Sequence, residues 1–268
     1  TATTSTTGNG SPSEQVNLAF TYASINITIT NVQYATSFSD DSSTPGGVRV
    51  AFTENNPTSN NPDFLYSDVA RLILPDQSSI PPTGESQQIS TDSQTTRPNW
   101  LDFPVTSQPA DLTKLALQMG TATEDQMRIP LAPGADLSKY QPKTVTPGTP
   151  FQYAGLNWTL KSATESLSAA DKQASTGNVY ITVTLSVFNP QANDYSAYYG
   201  DYARLSVGGT TNPPTSDSSL PTLVASQTTA TGTLIFLVPQ GSTAYTLVML
   251  GTTASPPVQQ VTVQFTIQ

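Results

Sequence analysis

The feature that most constrains this chain is an internal repeat, which places related stretches in its two halves. Residues 66–72 read Tyr-Ser-Asp-Val-Ala-Arg-Leu and residues 199–205 read Tyr-Gly-Asp-Tyr-Ala-Arg-Leu. Further matches follow in the same order: residues 20–29 with 151–160, Asn56-Pro57 with Asn189-Pro190, Phe103 and Val105 with Phe236 and Val238, and Leu117 and Gly120 with Val248 and Gly251. An ordered series of this kind is typical of a duplicated domain whose insertions lie in loops. The sequence therefore predicts two homologous domains.

The length of the chain agrees with a duplication. Its 268 residues suit two domains of ordinary size, each long enough to bury a core. We predict a flexible Thr/Ser-rich tether at 1–13, a first domain at 14–131, a Pro/Gly-rich linker at 132–148 and a second domain at 149–268. The tether carries no large apolar side chain, so we expect it to lie outside the folded domains.

Strand signals dominate both halves of the sequence. Charged residues make up only 11% of the chain, and Thr, Ser, Pro, Gly and Asn fill the gaps, which favours short strands joined by turns. Ile25, Ile27 and Ile29 alternate with polar residues, as in a strand with one buried face. Helical turns are expected only near 137–140 and 166–173. The predicted fold is all-β, with two tandem immunoglobulin-like β-sandwich domains.

The composition excludes several function classes. A net charge of -9 argues against nucleic acid and anionic membranes as partners, because both require clustered basic residues. The chain has no cysteine and no histidine, which removes thiolate and imidazole metal sites and Ser-His-Asp triads. It also lacks a Ser-x-x-Lys motif and a Gly-rich phosphate loop. We therefore expect no cofactor and no enzyme activity; the alternative is a carbohydrate-active enzyme with paired carboxylates, or its accessory carbohydrate-binding domain.

A cluster of tyrosines is the candidate ligand site. Tyr195, Tyr198, Tyr199 and Tyr202 lie close together beside Asp201, and aromatic faces with neighbouring carboxylates and amides are typical of surfaces that bind sugars or peptides. The corresponding stretch of the first half keeps only one of these tyrosines. The alternative is that two of the four rings pack into the core or into the domain interface.

Two further features of the sequence contain acidic residues. Asp40 and Asp41, flanked by serines, offer oxygen ligands of the kind that calcium takes, although they lack the spacing of a known calcium loop. A solvated acidic loop is the alternative interpretation. The repeated Asp and Arg of 66–72 and 199–205 are expected to serve structure, with the Asp in the turn that enters a strand and the Arg stem over an exposed sheet face.

The order of strand motifs resembles that of a bacterial family of secreted or membrane-anchored immunoglobulin-like domains of unknown function. The residues concerned are 50–57 with Phe103-Pro104-Val105 in the first half, and 183–190 with Phe236-Leu237-Val238-Pro239 in the second. The first half departs from the Phe-x-Val-Pro order. The same fold group includes a mycobacterial secreted immunoprotective antigen. The resemblance implies a fold and an extracytoplasmic compartment, and it implies no catalytic residues.

These observations give a combined expectation. No apolar run approaches the 18 residues of a membrane span, so we expect no membrane insertion within this sequence. We interpret 1–13 as the segment that follows an anchor upstream of Thr1. The predicted function is a non-catalytic binding or structural module, extracellular or in the cell envelope, whose partner is an unknown protein, peptide or glycan.

Overall fold

The computed structural model describes residues 11–41, 44, 46–253 and 256–268. The chain divides into two compact units. Unit 1 comprises the described residues of Thr1–Gln141 together with Asp171–Gln173, and unit 2 comprises those of Pro142–Ala170 and Ala174–Gln268. Most of the predicted tether, residues 1–10, lies outside the described residues.

Unit 1 contains two antiparallel sheets. In sequence order, its strands are β1 (Ser13–Tyr22), β2 (Ile25–Ala35), β3 (Gly47–Asn55), β4 (Ala70–Ile73), β5 (Ser79–Ile80), β6 (Gly84–Glu85), β7 (Thr96–Phe103), β8 (Ala116–Met119) and β9 (Met127–Pro130). One sheet has the order β1-β2-β3-β7-β6 and the other β5-β4-β8-β9. A single helical turn, α1 (Tyr66–Val69), leads into β4, and short 3-10 helices cover Leu112–Lys114 and Ser138–Tyr140.

Unit 2 also contains two main antiparallel sheets. Its strands are β10 (Lys143–Val145), β11 (Thr149–Tyr153), β12 (Leu156–Ser166), β13 (Ser168–Ala169), β14 (Lys172–Gln173, in the segment assigned to unit 1), β15 (Asn178–Phe188), β16 (Tyr195–Ser196), β17 (Ala203–Val207), β18 (Thr210–Asn212), β19 (Leu223–Val224), β20 (Thr229–Pro239), β21 (Ala244–Met249) and β22 (Val261–Thr266). The main sheets are β10-β12-β15-β20, with β11 also on β12, and β18-β17-β21-β22. A second helical turn, α2 (Tyr199–Tyr202), leads into β17.

Alternating apolar residues explain why these segments form strands. Ile25, Ile27 and Ile29 are all buried in β2, as their period of two requires. In unit 2 the inward rows of both sheets join one apolar cluster that includes Trp158, Leu205 and Phe236. The prediction of an all-β fold is confirmed, and the several sheets are consistent with a β-sandwich.

The pairing of the central strands gives the register of the repeat. Ala70 of β4 faces Met119, and Ala203 of β17 faces Met249. This pairing shifts the expected match of Leu117 with Val248 by one residue. The sequence predicts an inward row of Ala70, Leu72 and Leu74 in the first of these strands. Ala70 and Leu72 are buried, but Leu74 lies just beyond β4 and is only half-buried.

Three segments differ from the expectations drawn from sequence. The sheet of unit 1 begins before residue 14, since the Pro12 carbonyl accepts a hydrogen bond from the Tyr34 amide at 2.9 Å. The segment predicted as a linker is divided between the units, and its Tyr140 is buried with its hydroxyl 2.8 Å from the Arg128 amide. The helical turn predicted near 166–173 is wrong, because β13 and β14 form a hairpin there. The 3-10 helix at Ser138–Tyr140 agrees with the turn predicted near 137–140.

Among the described residues, no helix is long and apolar enough to cross a membrane.

Candidate functional site

The repeated arginines hold the two helical turns. Arg71 Nη1 donates to the carbonyls of Ser67 and Ala70 at 2.7 and 2.6 Å. Arg204 Nη1 donates to the carbonyls of Gly200 and Ala203, both at 2.7 Å. Carbonyls at the end of a helix lack intrahelical donors, so each guanidinium completes the turn that enters a central strand. The recurrence of this stretch is therefore explained by structure.

The four predicted tyrosines do not form an exposed platform. Tyr199 and Tyr202 stand three positions apart in α2 and are both buried, 7% and 5% exposed, because positions i and i+3 share one helix face. The Tyr202 ring lies 5.5 Å from that of Tyr153 in the core. Tyr198 is exposed and Tyr195 is half-buried. The expectation that Tyr202 serves a ligand is corrected, since its ring packs in the apolar cluster of unit 2.

The exposed part of the predicted site is small. The Tyr198 ring lies 4.7 Å from that of Tyr199 and covers Gly200, where an added Cβ would approach a Tyr198 ring atom to 2.4 Å. Asp201 is exposed on the same turn. These residues offer one accessible ring and one carboxylate.

A cleft in unit 2 includes the remaining tyrosine, Tyr195. Its volume is about 670 Å³, and it is lined by Gln152, Tyr153, Ala154, Gly155, Gln191, Tyr195, Pro256, Pro257, Val258, Gln259 and Val261. Aromatic, proline and amide groups dominate this lining, and none of its described residues is acidic or basic. Such a surface binds a ligand through apolar contact and amide hydrogen bonds, without an ionic partner in the lining.

Two loops build the floor of this cleft. Asn189 fixes one of them: its side chain accepts the Gln191 amide N–H at 3.0 Å and donates to the Asn193 carbonyl at 2.9 Å. Gln191 then reaches the Ala154 carbonyl with Nε2 at 3.2 Å. A Cβ on Gly155 would lie 2.7 Å from that Nε2, and Gly155 has a φ of 75°. Glycine at 155 suits this left-handed backbone, and a side chain at this position would displace the Gln191 amide.

The two phenols of the cleft stay neutral at physiological pH. Burial raises the pKa of Tyr195, and burial, followed by the nearby Tyr195, raises the pKa of Tyr153 to about 12. The Tyr153 hydroxyl donates to the Leu250 carbonyl at 2.8 Å. Both hydroxyl groups therefore act as hydrogen-bonding groups rather than as charges.

Of the predicted calcium ligands Asp40 and Asp41, Asp40 forms an ion pair with an arginine. Arg49 Nη1 lies 2.9 Å from the Asp40 carboxylate, and the hydrogen bond from Arg49 holds the pKa of Asp40 below its ordinary value. The nearby Asp41 raises the pKa of Asp102. No cluster of three acidic residues within the described ranges could hold a metal ion. Asp40 therefore pairs with Arg49 in this structure, and a calcium site at Asp40 and Asp41 stays a prediction.

Arg49 is the centre of a cluster on the outer face of the β3–β7 pair. Its Nε and Nη2 donate to the two carboxylate oxygens of Asp102, both at 2.7 Å. Its guanidinium lies 4.1 Å from the Phe38 ring centroid and 3.9 Å from that of Trp100. Bidentate pairing and stacking between two rings are arrangements that guanidinium favours over ammonium. The loop carrying Phe38 and Asp40 is thus attached to the sheet through one side chain.

Asp102 gives this cluster a pH dependence. Burial is the largest cause that raises the pKa of Asp102 to about 6; Arg49 lowers it and Asp41 raises it again. A carboxyl whose pKa rises on folding stabilises the folded state fully below its unfolded pKa, and this contribution is lost as pH rises through about 6. We expect unit 1 to lose about 1 kcal/mol of unfolding free energy between pH 5 and 7 from this group.

Hydrogen exchange of β3 and β7 amides at the two pH values measures this loss. Asp102→Asn cannot titrate, so the difference in pH dependence between the wild-type protein and the variant isolates the contribution of Asp102. An equal pH dependence in both proteins would contradict the prediction.

A second buried polar cluster in unit 1 was missed by sequence reasoning. Glu54 is fully buried in β3, and its carboxylate accepts hydrogen bonds from Tyr66 Oη at 2.7 Å, Arg97 Nε at 2.8 Å and Asn99 Nδ2 at 3.1 Å. The Thr91 amide donates a fourth at 3.2 Å. In unit 2 the equivalent cross-strand pair is Val187 and Ala230. The only available signal was a glutamate at an inward position of an alternating strand.

The comparisons with known proteins give only distant neighbours. No protein-family model matches the chain, and no curated protein matches it. One solved structure, a functionally unknown protein from Listeria monocytogenes EGD-e, has 15% identity and a TM-score of 0.34, with 50% of this chain and 89% of the other covered. Another, a conserved domain protein from Bacillus anthracis, has 6% identity and a TM-score of 0.26, with coverages of 94% and 90%. At these TM-scores neither neighbour bears on the fold or function of this chain.

Proposed function

We propose that the protein is a non-catalytic binding module that works outside a bacterial cell, with two immunoglobulin-like units in tandem and its ligand site in the cleft of unit 2. The observation that carries this proposal is the cleft itself. It combines an accessible phenol ring, two prolines and three glutamine amides in a cavity of about 670 Å³.

The chemistry of the lining supports binding over catalysis. Its ionisable groups are two tyrosines whose pKa values are raised by burial, and general acid or base catalysis needs a group that titrates near the working pH. Glutamine amides supply both donors and acceptors, and an aromatic face supplies contact area at low conformational cost. These groups select a ligand by shape and hydrogen bonding.

The extracytoplasmic assignment rests on composition. The chain has no cysteine, few lysines and many Thr and Ser residues, and its motif order resembles that of secreted or membrane-anchored bacterial domains. Fractionation of the source cells, with detection of the protein in the envelope or medium, tests this part of the proposal. Recovery of the protein only from the cytoplasm would contradict it.

Removal of the Tyr195 ring tests the site. We expect Tyr195→Ala to weaken ligand binding by about fivefold, since one stacked ring contributes on the order of 1 kcal/mol. Screening the wild-type protein on glycan and peptide arrays identifies a ligand, and calorimetry then compares the variants. Tyr198→Ala is the matched control, because Tyr198 is exposed and lies outside the lining of the cleft.

The same experiment separates the alternatives. If Tyr198→Ala abolishes binding while Tyr195→Ala does not, the ligand sits on the exposed pair of rings at α2 and the cleft is not the site. Hydrolysis of any substrate in a panel of glycosides would contradict the proposed binding module. It would support the alternative, a carbohydrate-active enzyme.

A further inference from the structure

We propose that the cleft of unit 2 receives the turn of a β-hairpin presented by another polypeptide, as the equivalent place in unit 1 already holds Asp171–Gln173. This inference rests on the proposed binding function and names the ligand class of the same cleft. The argument starts from unit 1, where the occupant is present.

Asp171 is bonded on two sides within unit 1. Its backbone N–H donates to Ser24 Oγ at 3.1 Å, and its carboxylate accepts from Thr58 Oγ1 at 3.1 Å. Ser24 belongs to the tight turn between β1 and β2, and Thr58 follows the Asn56-Pro57 pair that ends β3. Two separate loops of unit 1 therefore meet at one residue of the segment.

Gln173 anchors the other end of the same segment. Its side-chain amide accepts from the Ala23 backbone N–H at 3.5 Å and donates to the Asp125 carbonyl at 3.2 Å. Asp125 lies in the loop between β8 and β9. The carboxamide thus contacts main-chain groups of two loops, and these contacts do not depend on the side chains at those positions.

The same three loops form the cleft of unit 2. The turn Ala154-Gly155 repeats the turn Ala23-Ser24, with φ values of 52° and 75° against 45° and 66°. Asn189 bonds the amide of Gln191 at 3.0 Å, as Asn56 bonds the amide of Thr58 at 2.9 Å. The third loop, between β21 and β22, contributes prolines and Gln259 to the lining. Each contact loop of unit 1 therefore has a counterpart in the cleft.

The differences between the cleft of unit 2 and the segment-binding site of unit 1 indicate how the cleft would hold a hairpin. Gln191 stands where Thr58 donates to a carboxylate, and only one of its two amide N–H groups is needed for the bond to Ala154. Tyr195 corresponds to the buried Pro62 of unit 1 and adds an aromatic wall. We expect a turn that carries a carboxylate or carboxamide acceptor for Gln191 and a stem that packs on the Tyr195 ring.

A cyclic peptide with the sequence of residues 167–174 is the probe, titrated into the full chain and followed by NMR shift changes and calorimetry. Gln191→Ala and Tyr195→Ala are each expected to weaken its binding by about tenfold. A peptide in which Ala replaces this Asp and Gln is expected to bind the wild-type protein about tenfold more weakly than the original peptide. Thr58→Ala, at the filled place in unit 1, is the matched control and leaves the affinity unchanged.

The outcomes distinguish the hairpin inference from the proposed binding function of the cleft. If the peptide fails to bind while another ligand binds with dependence on Tyr195, the hairpin is wrong and the binding cleft stands. Peptide binding that responds to Thr58→Ala but not to Gln191→Ala would mean displacement of the segment in unit 1, which overturns the inference. Should no ligand of any class depend on Tyr195, both proposals fall.

Discussion

Glu54→Ala is expected to destabilise unit 1 by about 3–5 kcal/mol, the usual cost of breaking a buried ion pair by removing one partner. The variant leaves Arg97 without its carboxylate and leaves the donors of Tyr66, Thr91 and Asn99 without an acceptor. Denaturant unfolding, combined with hydrogen exchange of β3 and β7, measures the loss in the unit that carries it.

Two variants test whether the loss comes from unsatisfied groups rather than from a cavity. Glu54→Gln keeps the shape and one acceptor oxygen but replaces the other oxygen with an NH2 donor, so we expect a loss that is smaller than that of Glu54→Ala. Glu54→Val combined with Arg97→Ala copies the cross-strand pair of unit 2, and it should recover part of the stability, because well-packed apolar groups can replace a buried pair. A loss below about 1 kcal/mol for Glu54→Ala would show that the network contributes little.

Tyr202→Ala is expected to destabilise unit 2 by about 3–5 kcal/mol, as truncation of a buried aromatic does. The ring is 5% exposed and lies 5.5 Å from Tyr153 and 6.4 Å from Trp158, measured between centroids. Tyr202→Phe keeps these contacts and is expected to cost less than about 1.5 kcal/mol. Thermal and denaturant unfolding of the two variants provides the measurement.

Tyr198→Ala serves as the surface reference in the same series. Because that ring is 52% exposed, its removal should change the unfolding free energy by only about 0.5 kcal/mol. If Tyr202→Ala left stability unchanged and removed ligand binding, Tyr202 would return to the candidate site and its assignment to the core would be wrong.

The all-β fold was predictable from the sequence because strand periodicity is a local signal. The alternation of Ile25, Ile27 and Ile29 needs no knowledge of other elements, and the repeated arginines mark the entry to both central strands. The interpretation of the tyrosine cluster was wrong in part because Tyr199 and Tyr202 fall on a helical turn only four residues long. A turn of that length has no periodic signature of its own, so the sequence could not tell which rings face inward.

The cleft could be predicted only in part, because it is assembled from loops distant in sequence. Tyr195 was identified as a candidate, but nothing local joins it to Gln191 or to Gly155. The arginine cluster was hidden for the same reason: Arg49 and Asp102 become neighbours only through the pairing of β3 with β7. Charged residues on opposite strands show no pattern until the register is known.

The buried network of Glu54 also affects how a chain with two similar units folds. Tandem repeats are prone to misassembly in which a strand of one unit enters the sheet of the other. If β3 took the place of β15, Glu54 would be buried opposite Ala230, which has no side-chain donor. In the reverse exchange, Val187 would leave Arg97 without its carboxylate. A buried charge without a partner is costly, so the difference between the two interiors opposes strand exchange and favours folding of each unit with its own strands.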